Sequence, residues 1–399
     1  MSEKQRIAVV FGGRSPEHDV SIVTGLQVLE AVDSDRYEAF AVYVTHKGEW
    51  LVGEPLANRS NYLPDPGLQQ HLTSVILDVM PSGKGVLLPR ERQLFRRPQP
   101  VVFDVALLAF HGTTGEDGQI QGLFETAAIP YTGMRTLASS VLMDKAATKR
   151  MLRGMNLPML SEVLLTRPKQ GLVIGRDVLA ILAKQASFPA VVKPNHLGSS
   201  IGVAKVNDVE ELAAVLPQIF KLDAAAILEP FVSNLVEYNI SVCRFGGRLR
   251  CSAIEKPKNT AVLLDFKQKY LSGGSKAAAK TPGQSSQGML SLTREINPSL
   301  PPELGKNIRA WAEEAFLAVG GTGAPRLDFM GNSVTGEIWL NEVNPCPGSF
   351  GYFLWEAAEE PMLFTQLITN LIDEAVEQHG MMRLPNDPVP DDARLFKRP

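Results

Sequence analysis

Residues 325–350 read PRLDFMGNSVTGEIWLNEVNPCPGSF, with two short apolar-alternating runs around the turn-forming sequence GNSVTG. This pattern predicts a β-hairpin. Residues two apart on a strand share a face, so Arg326 and Asp328 lie together on the first strand, and Glu342 and Asn344 lie together on the second. A turn centred on the Gly-rich sequence pairs Asp328 with Glu342. The opposite face is left for the apolar residues Leu327, Phe329, Leu340 and Val343.

The polar face of this predicted hairpin offers two carboxylates and an amide oxygen beside an arginine. Oxygen-only ligands suit a hard cation such as Mg²⁺, and a small number of protein ligands leaves room for substrate phosphates. The alternative from this stretch alone is an amphipathic hairpin with a solvated polar face, on which Arg326 and Asp328 form a surface pair. The rest of the chain favours the cation site.

The composition is that of a globular enzyme. The chain has 399 residues, which is enough for two or three domains, and it is 44% hydrophobic and 21% charged. A net charge of −3 gives no basic field, so we expect no nucleic-acid partner. The start of the chain lacks the apolar region of a signal peptide, and no run approaches the roughly 18 apolar residues of a membrane helix. The three cysteines lack metal-binding spacing, which favours a reducing compartment. We therefore expect a cytoplasmic protein without membrane contact.

The N-terminal segment alternates strands and helices. RIAVVFGG, the loop RSPEHD, a helical pattern and the strand YEAFAVYVT predict a parallel sheet. Glu17 follows the first strand, at the edge where open α/β sheets bind ligands, although a helix-capping role is the alternative. The strand VVFDVALLAF ends at His111, which either faces the same cleft or is a structural hydrogen-bonding residue. Residues 47–100 are predicted to form an insertion with a short hairpin and no chemistry.

The middle of the chain carries an anion-binding pattern. AVVKPNHLGSSIGVAKV predicts a strand, a Gly-rich loop whose N–H groups can hold an anion, and a second strand. Lys193 adds a positive charge there, and a structural hairpin turn is the alternative. Residues 134–151, which include Lys145, are predicted to be a helical crossing between domains. DVEELAAVLPQIF predicts an amphipathic helix, and Glu229 and Glu237 flank a predicted hinge.

Residues 265–287 form a long polar stretch with several lysines and Tyr270. Loops of this length are either lids or disordered segments. The lysines favour a lid over anions, with a merely disordered loop as the alternative.

Taken together, the motifs resemble the ATP-grasp enzymes and, within them, the D-alanine–D-alanine ligase family. The segments that carry the resemblance occur in the family's order: GGRSPEHDVS, HGTTGEDGQIQG, LMDKAATK, VVKPNHLGSSIGV, KQKYLS, and PRLDFM with NEVN. The resemblance implies an α/β fold of three domains, at residues 1–134, 135–228 and 229–399, with the lid at 265–287. ATP would lie between the central and C-terminal domains.

The resemblance also implies a role for each site residue. Lys145 and Lys193 would contact the ATP phosphates, with Glu229 at the adenine and Glu237 at the ribose. Two Mg²⁺ ions, or Mn²⁺ in their place, would be held by Asp328, Glu342 and Asn344. Glu17 would bind the ammonium group of the first amino acid and join Ser199 and Tyr270 in a hydrogen-bonded network. Arg326 and the N–H of Gly348 would bind carboxylate oxygens, and Lys269 would lie near the transferred phosphate and the second substrate.

The segment after NEVN departs from the family pattern. It reads NPCPGSFGYFLWEAA, so Phe353 and Leu354 stand where the family has a Ser-Leu or Ser-Met pair in the second-substrate site. The expected function is ATP-dependent ligation of two D-alanines for cell-wall synthesis by a homodimer. A ligase with another amino-acid or hydroxy-acid acceptor is the first alternative, and a catalytically silent nucleotide-binding regulator is the second.

Overall fold

The computed structural model describes residues 4–62, 72–80, 83–90, 99–258, 294–382, 390 and 393. The predicted lid at 265–287, with Lys269 and Tyr270, lies outside the described residues. Within them, every helix is too short or too polar to cross a membrane.

The N-terminal sheet has the order β6-β5-β4-β3-β2-β1-β7. Its strands are β1 (Gln5–Gly12), β2 (Tyr37–Val44), β3 (Trp50–Val52), β4 (Thr73–Leu77), β5 (Gly85–Pro89), β6 (Val101–Phe103) and β7 (Val105–Leu108). β1 runs parallel to both β2 and β7, as the opening of the sequence predicts, whereas β2 to β6 pair antiparallel. The prediction of an insertion at 47–100 was therefore wrong in part, because β3, β4 and β5 continue the sheet; the short hairpin is β4–β5.

The predicted strand at 101–110 is bent at Asp104. Its first part, β6, pairs with β5, and its last part, β7, pairs with β1. The first and last strands of the sheet order are therefore the two halves of one bent segment of chain. Asp104 makes this bend by bonding twice to Arg6: the Arg6 N–H donates to its carboxylate at 2.8 Å, and its own N–H donates to the Arg6 carbonyl at 2.8 Å.

The central sheet is antiparallel, in the order β10-β9-β11-β8. It contains β8 (Val163–Thr166), β9 (Ala190–Pro194), β10 (Ala204–Val206) and β11 (Ala225–Pro230). The sheet is reached through α3 (Thr136–Met143) and α4 (Lys145–Leu152), between which Asp144 caps α4 by accepting from the Ala147 N–H at 2.7 Å. α5 (Arg176–Ala183) and the predicted amphipathic helix α6 (Val209–Leu222) pack on the sheet.

The C-terminal sheet has the order β15-β14-β12-β16-β17, and β13 pairs with β12. Its strands are β12 (Leu235–Phe245), β13 (Arg248–Cys251), β14 (Glu255–Pro257), β15 (Arg294–Ile296), β16 (Arg326–Asn332) and β17 (Ile338–Asn344). The remaining helices are α1 (His18–Ala31), α2 (Gln119–Thr126), α7 (Pro302–Ala318), α8 (Tyr352–Glu356) and α9 (Phe364–Met382). Helix α9 shares one apolar core with β1 and α1, so the last described helix packs against the first strand and the first helix.

The predicted hairpin is β16–β17, and Asp328 pairs with Glu342 as expected. The register shifts between Asp328 and Phe329, which pairs with Leu340. Asn341 is thus an extra residue of the kind found in a β-bulge. This bulge explains why Leu340 and Val343, three residues apart, are both buried, and it lets Asn341 and Glu342 both face the same cleft.

Candidate active site

Two adjoining cavities lie between the three sheets. Cavity A, of about 120 Å³, lies between the central sheet and the β12–β16–β17 strands, and it has apolar walls that include Val191, Phe231, Leu235 and Met330. Cavity B, of about 440 Å³, reaches from there to the carboxyl ends of β1 and β7. The cavities are direct neighbours, because they share eight lining residues: Lys145, Leu197, Gly198, Ser199, Ser200, Glu237, Asn341 and Glu342.

Nearly all the described residues predicted for the site line these two cavities. Cavity A is lined by Lys145, Lys193, Ser199, Glu229, Glu237 and Glu342. Cavity B is lined by Glu17, His111, Lys145, Ser199, Glu237, Arg326, Asp328, Glu342, Asn344 and Gly348. Of the predicted residues that the structure describes, only Phe353 and Leu354 line neither cavity. The Phe353 ring packs against the Arg294 guanidinium at 4.6 Å, and Leu354 is buried.

Glu229 holds two buried lysines at the inner end of cavity A. Its Oε1 lies 2.5 Å from Lys149 Nζ, and its Oε2 lies 2.7 Å from Lys193 Nζ. Burial alone would raise the pKa of Glu229, but Lys193 and Lys149 outweigh it and hold that pKa below its ordinary value. Lys193 Nζ also donates to Asn341 Oδ1 at 3.0 Å, which ties the central sheet to the bulge of β17. The cluster is therefore charged and supplied with its own counter-ions.

Sequence analysis missed Lys149 and Asn341. Lys149 lies four residues after Lys145 on α4, and residues at this spacing share a helix face; that spacing was the available signal. No such signal exists for Asn341, because strict alternation places its side chain on the opposite face of the strand from Glu342.

Lys145 joins the Gly-rich loop to the hairpin. Its Nζ donates to the Leu197 carbonyl at 2.7 Å and lies 3.6 Å from Glu342 Oε2. Burial raises the pKa of Glu342, but Lys145, Lys193 and Arg326 outweigh it, so this carboxylate is held ionised.

Glu17 occupies the N-cap position of α1, yet in the described structure its side chain makes no capping hydrogen bond. Instead it accepts a hydrogen bond from the Ser199 hydroxyl. Ser199 and the following Ser200 have φ of 52° and 55°, a left-handed backbone that is uncommon outside glycine. The Gly-rich loop thus turns sharply at the point where it meets the N-terminal sheet.

The polar face of the hairpin is strongly acidic. Arg326 donates two hydrogen bonds to Asp328, from Nε and Nη2, each at 2.7 Å. The alternative interpretation of the sequence was that Arg326 and Asp328 form a pair on a solvated surface. In the structure both residues lie in the wall of cavity B. Glu237 faces the same group, and burial, then Asp328 and Glu342, raise its pKa above the ordinary value.

These donors fit the predicted cation. Three carboxylates face one arginine, and the amide of Asn344 adds a neutral oxygen. An all-oxygen set of carboxylates and an amide is the chemistry that binds Mg²⁺. A second group with metal-ligand atoms, His18, Asp19 and His46, has its ligand atoms within 4.8 Å of one another. Both ring nitrogens of His18 are taken, by the Gly13 carbonyl and the Tyr43 hydroxyl, so we assign that group a structural role.

His111 is buried at the floor of cavity B. Its Nε2 lies 2.8 Å from Thr24 Oγ1, and burial lowers its pKa to about 4. The ring is therefore neutral at pH 7. Glu116, a residue that sequence analysis did not single out, lies beside it; burial raises its pKa to about 8.

The arrangement of three sheets around the two cavities is that of the ATP-grasp fold. The Coxiella burnetii D-alanine-D-alanine ligase structure superposes with a TM-score of 0.74 at 24% identity, covering 96% of this chain and 97% of that one. The VanG D-Ala:D-Ser ligase of Enterococcus faecalis superposes with a TM-score of 0.71 at 24% identity, covering 94% and 100%. At such identity these likenesses show the fold alone.

Sequence comparison defines the family. The family model "D-ala D-ala ligase N-terminus" matches residues 6–134, and "D-ala D-ala ligase C-terminus" matches residues 151–373. The D-alanine–D-alanine ligase of Thermosipho africanus is 33% identical over 93% of this chain and 93% of its own length. That of Prosthecochloris aestuarii is 31% identical over 94% and 98%. The chain belongs to the D-alanine–D-alanine ligase family.

Proposed function

We propose that this protein joins two D-alanine molecules to D-alanyl-D-alanine, with hydrolysis of ATP to ADP and phosphate, as a step of peptidoglycan synthesis. The observation that carries the proposal is that cavities A and B adjoin and share a wall, which brings the lysine–glutamate cluster, the acidic hairpin and Glu17 around neighbouring spaces. The full-length relationship to D-alanine–D-alanine ligases supports it, and it favours neither a different acceptor nor a silent regulator.

ATP is assigned to cavity A. Its apolar walls suit the adenine ring, with Glu229 near the adenine and Glu237 near the ribose. Lys145 and Lys193 then face the phosphates. Because Glu229 binds Lys149 and Lys193, it also fixes the direction in which the Lys193 ammonium group points.

Asp328, Glu342 and Asn344 would hold two Mg²⁺ ions, which supply positive charge to the phosphates during transfer. Within the chain, Arg326 is already held by Asp328 through Nε and Nη2. We assign its Nη1 to the substrate carboxylate. Glu17 binds the ammonium group of the first D-alanine, and the Ser199 hydroxyl orients Glu17.

The reaction follows from the poor leaving group of a carboxylate. An oxygen of the first D-alanine attacks the γ-phosphorus of ATP, ADP leaves, and an acyl phosphate forms. The neutral amine of the second D-alanine attacks the acyl carbon and loses a proton, and phosphate leaves. Arg326 and the Gly348 N–H are placed to stabilise the oxyanion of the tetrahedral intermediate.

The second-substrate site is assigned in part to residues outside the described structure. Lys269, near the transferred phosphate and the second carboxylate, and Tyr270, in the network of Glu17 and Ser199, remain predictions. Phe353 and Leu354 remain proposed determinants of the acceptor, although in the structure they line neither cavity. The three domain boundaries, the homodimer and the cytoplasmic location also remain predictions.

The test is ADP release by purified protein with ATP, Mg²⁺ and D-alanine, with the dipeptide identified by mass spectrometry. We expect release that depends on D-alanine and is absent with L-alanine. ADP release without dipeptide, or dipeptide formation only with another acceptor, would contradict the proposal.

A further inference from the structure

The loop at 345–351, which carries Gly348, has an unusual backbone. Ser349, Phe350 and Gly351 have φ of 50°, 52° and 59° in succession. A non-glycine residue is disfavoured in this left-handed region, because its Cβ comes too close to the following carbonyl oxygen. Such a conformation persists only where the surrounding contacts over-determine it.

Part of that support comes from Glu116, which belongs to the N-terminal part of the chain. Its Oε1 accepts the Cys346 N–H at 3.0 Å, and its Oε2 accepts the Gly112 N–H at 2.5 Å. One buried side chain thus joins two loops that are more than 200 residues apart in sequence. Asn344 Oδ1 also lies 3.1 Å from the Cys346 nitrogen, so Glu116 satisfies this N–H when Asn344 turns its oxygen to another partner.

A second connection runs through His111 and Thr24. The Ser349 N–H donates to Thr24 Oγ1 at 3.1 Å, and Thr24 Oγ1 lies 2.8 Å from His111 Nε2. The backbone of Cys346 also acts on the pKa of His111, although burial outweighs it, so the ring lies against this loop. Because Thr24 Oγ1 accepts from Ser349, its own hydroxyl proton can be donated to Nε2 of the neutral ring. The loop is therefore held at the Cys346 N–H and at the Ser349 N–H.

We propose that Glu116 is a positioning residue that fixes the direction of the Gly348 N–H by holding Cys346. The inference rests on the proposed function, because the role of the Gly348 N–H is to bind the developing oxyanion. Two N–H groups converge on the two oxygens of Glu116. An oxygen of a carboxylate or of a carboxylic acid can accept a hydrogen bond, whereas an amide nitrogen cannot. Glu116→Gln therefore leaves one of the two N–H groups facing a donor.

The experiment compares Glu116→Gln with Glu374→Gln in the full-length protein. Glu374 is a matched control, since it is buried and accepts a backbone N–H, that of Gly323, at 2.6 Å, but lines neither cavity A nor cavity B. We expect Glu116→Gln to lower kcat for D-alanine-dependent ADP release about ten- to a hundredfold, the size of effect that a small misplacement produces. The KM for ATP should change by less than about twofold, since ATP binding does not use this loop.

Hydrogen exchange of peptides that cover 345–351 provides a readout that does not depend on activity. We expect faster exchange there in Glu116→Gln and unchanged exchange there in Glu374→Gln, even if both variants unfold at a lower temperature. The inference is overturned if Glu116→Gln keeps the wild-type kcat, or if exchange of the loop is unchanged. Equal losses of kcat in the two variants would also overturn it, since that result indicates general destabilisation. Wild-type protein without D-alanine-dependent ADP release contradicts the proposed function instead, and the exchange experiment still decides whether Glu116 holds the loop.

Discussion

Glu229 and Glu237 lie close together in the sequence and both line cavity A, yet their surroundings shift their pKa values in opposite directions. Two lysines hold the pKa of Glu229 below its ordinary value, whereas burial and two other carboxylates raise the pKa of Glu237. The Glu229 carboxylate thus has its counter-charges within the protein. The carboxylates of Asp328 and Glu342 instead disfavour the charged form of Glu237, and a bound cation would relieve that repulsion. The first cluster stabilises the protein by itself, whereas the second favours the binding of a cation.

The largest expected effect is in the acidic cluster. Glu342→Gln should lower kcat by roughly a thousandfold or more, because an amide cannot supply the charge that holds two cations on the phosphates. The variant should stay folded at the assay temperature, although loss of the carboxylate that Lys145, Lys193 and Arg326 hold ionised should lower its unfolding temperature. The measurement is ADP release at millimolar Mg²⁺, with Glu337→Gln in the exposed turn of the same hairpin as the control. Near-normal release by Glu342→Gln would remove this residue from the metal site.

Glu229→Gln should act on stability. It removes the carboxylate that Lys149 and Lys193 both contact, and breaking a buried pair in this way costs about 3–5 kcal/mol. Because the pKa of Glu229 is lowered in the folded protein, its stabilisation is present above the ordinary carboxylate pKa and is lost as pH falls through the folded value. Urea unfolding across pH should therefore show a gap between wild type and variant that narrows in acid. A gap that does not depend on pH would show that the contribution is not one of charge.

The substrate ammonium site should respond to Glu17→Gln. Loss of a charge-assisted contact costs roughly 1.5–3 kcal/mol, or about a ten- to a hundredfold increase in the KM for the first D-alanine. The KM for ATP should hardly change, since Glu17 lines only cavity B. Steady-state kinetics with each substrate varied separately makes this distinction. An equal loss of ATP affinity would place Glu17 in the nucleotide site.

Glu237→Gln is the counterpart of Glu229→Gln and should have the opposite sign. The fold disfavours the charged form of Glu237, as its raised pKa shows, so a neutral isostere should stabilise the free protein at pH 7 by up to about 1 kcal/mol. Added ATP and Mg²⁺ should reduce or reverse that gain. Urea unfolding with and without ligand tests it; destabilisation of the free protein would mean that Glu237 has its counter-charge within the chain.

The smallest effect is expected at Phe353, which lines neither cavity. Phe353→Ser removes the contact with Arg294 and introduces the hydroxyl that the family pattern has at this position. We expect a decrease of less than about tenfold in the KM for the acceptor D-alanine, which corresponds to under about 1.4 kcal/mol. If wild type already has a sub-millimolar acceptor KM and the serine variant behaves the same, Phe353 does not determine the acceptor.

The local pattern of the sequence was sufficient for much of the site. Alternation in residues 325–344 predicted the hairpin and the pairing of Asp328 with Glu342, because side-chain direction along a strand depends only on parity. The ends of β1 and β7, the Gly-rich loop and the amphipathic α6 were predicted for similar reasons. The motifs, in their order, identified the α/β fold and the family, and both are confirmed.

Other features were decided only by the tertiary structure. The bulge that turns Asn341 into the cleft depends on how β17 packs between two sheets, and parity cannot predict it. Lys149 and Glu229, 80 residues apart, become counter-ions only when α4 meets β11. Strands β3 to β5 join the N-terminal sheet because the backbone groups of β2 and of the bent strand at 101–108 need partners. Glu116 and Cys346 meet across 230 residues. Local spacing records which way a side chain points, but burial and pairing with distant groups decide what it meets and whether it is charged.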